Sequence, residues 1–96
     1  MKEYKIVCNR TETNLKTGEM HEKKGVSPII GNGTAFHRIY TKKSEANAGL
    51  KWIKEECKNY DANREKNIAK YGTDVYTLSC TQTDIKIVSR AVTPWM

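Results

Sequence analysis

At 96 residues, with 17 Lys and Arg against 11 Asp and Glu, the chain carries a formal charge of +6; that length leaves no room for a second domain or a deep multi-layer core. The excess of base favours anionic partners such as nucleic acid, nucleotides or an acidic protein face over cationic ones. It is also uneven. Residues 1–34 hold six basic and four acidic groups, residues 35–71 nine and five, and residues 72–96 two and two, so the charge is concentrated on the middle of the chain.

In chain order, residues 2–10 alternate as a strand, with Tyr4, Ile6 and Cys8 on one face and Lys5, Val7 and Asn9 on the other. From 11 to 33 the pattern weakens. Residues 14–18 read as a turn and 19–24 as a return strand, while Gly25-Val-Ser-Pro28 and Gly31-Asn-Gly33 break the chain twice. The expectation for 11–33 is a long loop or irregular hairpin facing a partner. Strand character resumes at 34–40, with Phe36, Arg38 and Tyr40 opposite Ala35, His37 and Ile39.

The clearest signal follows. Ala46, Leu50, Ile53, Cys57 and Tyr60 recur at spacings of four, three, four and three, one face of a helix that needs a sheet to lie on. Thr41 or Ser44 is placed to cap it, Glu45 sits where the macrodipole favours a carboxylate, and Gly72 is a C-terminal stop. Beyond Tyr60 the inward positions fall to Asn63 and Arg64. An unbroken helix to Tyr71 would be about 45 Å long at about 1.5 Å per residue, so a kink near Asn59-Tyr-Asp61 or a projecting second half is predicted. Residues 74–81 and 85–92 read as a hairpin closed by Gln82-Thr-Asp84. The fold class is therefore α+β: an antiparallel sheet of about four strands with one long helix on one face, in a single domain spanning 1–96.

No catalytic set emerges. His21 and His37 are isolated, no serine or cysteine stands in a nucleophile context, and Glu55, Glu56, Asp61 and Glu65 interleave with Lys51, Lys58 and Arg64 as solvated ion pairs. Cys8, Cys57 and Cys80 are odd in number and widely spaced, which argues against a disulfide framework and for apolar filler. A Cys8–Cys80–His37 cluster would exist only if the fold assembled it, and no close ligand spacing announces a metal. Gly31-Asn-Gly33 lacks the following helix that a phosphate loop requires and reads as a turn. The expectation is a non-enzyme with no cofactor and no metal. No apolar run is long enough for a signal peptide or a membrane span, so a cytoplasmic, non-membrane protein is expected.

The binding candidate is His37-Arg-Ile-Tyr-Thr-Lys-Lys43. It interleaves cations with an aromatic ring, as contact with phosphates and stacked bases requires. Lys42 and Lys43 stand at a helix N-terminus, where cations oppose the dipole unless an anion sits among them. The predicted ligand-binding residues are His37, Arg38, Tyr40, Lys42 and Lys43, joined by Arg90 if the last strand lies alongside. Trp52, off the helix stripe beside Gly49, and the near-terminal Trp95 are candidate interface anchors for self-association or a partner.

In size and pattern, the strand ending Arg38-Ile-Tyr-Thr-Lys-Lys43, the helix with Ala46-x-Ala-Gly-Leu-x-x-Ile53 and the closing hairpin are similar to small uncharacterised phage and mobile-element proteins. That similarity transfers no site. The leading expectation is a binding protein for nucleic acid or a nucleoprotein. The alternative is a phage-type anti-defence inhibitor in the host cytoplasm that occludes a host protein or sequesters a small nucleotide signal, acting as an oligomer.

Overall fold

The computed structural model describes residues 1–91; Trp95 lies outside them. The elements run β1 (Lys2–Asn14), β2 (Met20–Val26), β3 (Ile39–Tyr40), α1 (Lys43–Tyr71) and β4 (Leu78–Ala91). One helix packs on a four-stranded antiparallel sheet, an α+β fold. β1 is its spine. β4 pairs along one edge of β1 from Lys2↔Ala91 to Asn14↔Leu78. The other edge is shared, with β2 on the distal half and β3 on Tyr4 and Lys5.

Alternation places Ile6 and Cys8 on the helix-facing side, both fully buried. Ile6 joins Tyr40, Ala46, Ile53 and Cys57 in the core, flanked by Tyr4, Ile30, Phe36, Leu50, Ile85 and Ile87. Gly49 is part of this packing. A β-carbon there would overlap the Tyr40 hydroxyl, so the space left by the missing side chain is taken by Tyr40 rather than by Trp52 or a partner.

The predicted closing hairpin is instead one strand. Ile6↔Ile87 and Val7↔Lys86 resume as Asn9↔Thr83, so β4 carries one residue more than β1 across this step. Asp84 absorbs it with φ of 50°. The polar Gln82-Thr-Asp84 triplet is thus a β-bulge, whose left-handed residue Asp tolerates, and not a turn. The bulge resets the alternation, so Cys80 and Gln82 before it and Ile85 and Ile87 after it all approach the helix side.

The predicted strand over 34–40 shrinks to Ile39–Tyr40 and an isolated bridge between Ile29 and Ala35. Residues 28–36 leave the sheet and fold over its helix side as a tight loop, closed by Ile30 N–H to Thr34 O at 3.0 Å and Phe36 N–H to Pro28 O at 2.8 Å. The helix is neither kinked into two nor detached. Its 29 residues are continuous, and Tyr60, Asp61, Arg64, Asn67 and Ile68 extend the inward stripe as half-buried positions. Capping differs as well: the N-cap is Lys42, with no side-chain bond, while Gly72 (φ 79°) ends the helix through its N–H to Ile68 O. Among the described residues no helix is long and apolar enough to cross a membrane.

Candidate functional site

The backbone of β3 and the start of α1 hold the sequence-predicted residues on two different faces. Tyr40 lies on the core side, 5% exposed. Arg38, two residues earlier, shares that side and places its guanidinium 4.8 Å from the Tyr40 ring centre. Phe36 stands 6.5 Å from Tyr40 and meets Trp52 edge-on at 6.0 Å. These rings, with Glu45, Ala48 and Gly49 of the helix, line an open groove of about 390 Å³. Trp52 remains 49% exposed in it, so a half-exposed indole and an exposed guanidinium share the groove. Stacking on an aromatic or on an arginine plane needs only such a π-face, whichever base supplies the other.

Lys42 and Lys43 do not line this groove; they are exposed at the uncapped helix start, between its lining residues Tyr40 and Glu45 in the chain. The first-turn N–H groups there have no side-chain acceptor, so their partial positive charge adds to that of the two lysines. Glu45 is the acidic member of the lining. His37 is exposed and pairs its Nδ1 with Ser27 Oγ at 2.9 Å, which ties the two ends of the 27–37 segment together.

Arg90 does not join this surface. It projects from the opposite side of the sheet, where Nη2 and Nε lie 2.8 and 3.0 Å from Glu3 Oε2. Its neighbours there are Lys5, Ile39 and Val88 around a groove of about 230 Å³. The reason is register: Glu3↔Arg90 and Tyr4↔Tyr40 are one residue apart along β1, and successive residues face opposite ways.

Two features escaped the sequence. The first is Gln82, buried at 8% exposure. Its Oε1 accepts from Ile29 N–H at 2.7 Å and its Nε2 donates to Ile29 O at 3.0 Å, imitating a strand neighbour. Asp61 accepts from Gln82 N–H at 2.9 Å and from Nε2 at 3.3 Å. This clamp pins the 28–36 loop to the sheet and fastens the helix to both. Burial raises the Asp61 carboxyl above its ordinary range, opposed by the Gln82 hydrogen bonds.

The second is a polar groove of about 190 Å³ further along the helix, between Gly31-Asn-Gly33 and Tyr60, Asn63, Arg64, Asn67 and Tyr76. Arg64, read from sequence as a solvated ion-pair partner, instead donates from Nε to Leu78 O at 2.8 Å and covers the Tyr76 ring at 5.9 Å. Asp61 likewise spends its charge on Gln82. The only sequence cue was that both occupy the 3.6-residue stripe, which polar side chains made easy to discount.

The three cysteines are free and buried. Burial pushes the Cys57 thiol up to about 12 and Cys80 to about 11, so neither is a ready nucleophile near neutral pH. His37 stays with Ser27, and among the described residues no three metal-ligating side chains gather. Comparison of the chain with protein families, curated proteins and solved structures returned no match.

Proposed function

We propose that this protein is a non-catalytic binding protein for single-stranded nucleic acid, alone or within a nucleoprotein. The observation that carries the reading is the open groove in which Arg38 stacks over Tyr40 while Phe36 and Trp52 form the aromatic wall. A base entering it gains about 1–3 kcal/mol of stacking. The exposed Lys42 and Lys43 and the uncapped helix start supply the attraction for its phosphate. The +6 charge raises the encounter rate with any polyanion.

The test is fluorescence anisotropy with labelled 12-nucleotide single strands across a salt series. Binding that weakens steeply with salt, and that is lost in the Arg38→Glu, Lys43→Glu double variant while thermal unfolding is unchanged, supports the reading. The same affinity in the double variant sinks the site. Tight, nearly salt-independent capture of a protein would favour the other reading, an inhibitor that occludes a protein partner.

A further inference from the structure

We infer that the polar groove beside Gly31-Asn-Gly33 is a ribose-recognising extension of the aromatic groove, so that the preferred strand is RNA rather than DNA. This deepens the proposed function and rests on it.

The two grooves share both walls. On the helix, Glu45, Ala48, Gly49 and Trp52 line the first, and Tyr60, Asn63 and Asn67 the second. Glu45, Gly49, Trp52, Glu56, Tyr60, Asn63 and Asn67 follow one another at spacings of three and four, with Ala48 beside Gly49, which is a single flank of α1; between the grooves the Glu56 carboxylate lies against Gly31. Opposite lies one loop, with Phe36 and Arg38 at the first groove and residues 31–33 at the second. From Trp52 to Asn63 is eleven residues, about 16 Å of helix at about 1.5 Å each. A strand stacked on Trp52 and running along the flank therefore reaches the second groove within a few nucleotides.

The chemistry changes along that path. The first groove offers rings and a guanidinium. The second offers the carboxamides of Asn63 and Asn67, the amide NH2 of Asn32 (its Oδ1 is engaged by Thr34) and the phenol of Tyr60, with Arg64 and Tyr76 completing the lining. A carboxamide donates and accepts at once, which is the requirement of a hydroxyl group, itself both donor and acceptor. A 2′-hydroxyl is the group by which a protein distinguishes RNA from DNA at a given site. Arg64 is held by Leu78 O and by Tyr60 Oη at 3.5 Å, so it stiffens the wall. Among the described residues Arg64 is the one cation lining this groove, and its Nε and Nη1 are already engaged by Leu78 O and Tyr60 Oη, which makes hydroxyl recognition a better fit than a phosphate contact. The wall is also preformed. Thr34 donates to Asn32 Oδ1 through its N–H at 3.0 Å and its hydroxyl at 2.6 Å, and the Gln82 clamp fixes the loop from below.

The experiment compares labelled 12-nucleotide oligouridine, oligodeoxyuridine and 2′-O-methyl oligouridine with the intact protein and with the Asn63→Ala, Asn67→Ala double variant. Thermal unfolding serves as the folding control, since both positions are on the helix surface or half-buried. The expected result is RNA binding at least fivefold tighter than either analogue, with the double variant bringing the RNA-to-DNA affinity ratio close to one. Trp52→Ala should weaken both alike. Equal affinity of the intact protein for RNA and DNA, or tighter DNA binding, overturns the ribose assignment while the aromatic groove stands. An RNA preference that survives the double variant removes it from this groove. Failure of all three oligonucleotides to bind overturns the proposed function itself.

Discussion

One helix covers two unlike halves of one sheet. Its first half lays Ala46, Ile53 and Cys57 on Ile6 and Tyr40, a dry contact in which every member is at most 5% exposed. Its second half lays Asp61 and Arg64 on Gln82 and the Leu78 carbonyl, a contact made of hydrogen bonds. The first kind of contact is non-directional and tolerates substitution by volume. The second requires each donor to meet its acceptor, and a single removal strands the partner. Affinity for the sheet comes chiefly from the dry half, while the position of the loop that walls both grooves comes from the polar half.

The largest effect should come from opening the dry half. Ile53→Ala removes a fully buried side chain and should cost about 2–5 kcal/mol, read as a lower urea midpoint with little change in slope. Next is the clamp. Gln82→Ala strands the Ile29 N–H and C=O and leaves Asp61 only the main-chain N–H of residue 82, and should cost about 1–3 kcal/mol. Its distinguishing mark is faster amide exchange at Ile29, Ile30 and Phe36, ahead of the core strand; uniform acceleration throughout would deny the clamp a local role.

A smaller effect tests the seam between the halves. Gly49→Ala gains up to about 1 kcal/mol of helix propensity but drives its methyl into Tyr40. Overpacking of this kind typically costs about 1–3 kcal/mol, so net destabilisation is expected. Tyr40→Phe, by removing the hydroxyl, should restore part of it in the double variant. If the two changes are simply additive, Gly49 is not there for Tyr40.

The smallest effect is one of pH. Burial raises the folded-state carboxyl of Asp61 above its unfolded value, so the native state binds more protons between the two. Stability from this group therefore falls as pH rises through that window and is recovered on mild acidification, the reverse of an ion-paired carboxylate. Asp61→Asn should flatten that component of the stability profile above the ordinary carboxylate range. An unchanged profile would place the titration elsewhere.

Much of the architecture was readable because it depends on local periodicity. The 3.6-residue stripe from Ala46 to Tyr60, the alternation of Tyr4, Ile6 and Cys8, the turn at 14–18 with its return strand and the Gly72 stop all reflect short-range steric and solvation preferences that no tertiary contact reversed. The candidate groove was readable in part. Arg38, Tyr40, Lys42 and Lys43 are contiguous in sequence and so unavoidably close, whereas Phe36 and Trp52 meet only because the loop folds back on the helix.

What the tertiary structure alone decided are the matters of pairing and of polar partnership. Gln82-Thr-Asp84 has the composition of a turn, and only the β1 ladder on its flank makes it a bulge within one strand. Arg90 and Arg38 are equal as cations in the sequence; register puts one against Glu3 and the other over Tyr40, on opposite sides of the sheet. Asp61 and Arg64 look solvated until Gln82 and the Leu78 carbonyl are brought to them across the fold. Burying apolar groups follows a pattern written along the chain, because any apolar surface suffices as a neighbour. Burying a polar group depends on one particular partner, and that partner's position is a property of the folded molecule.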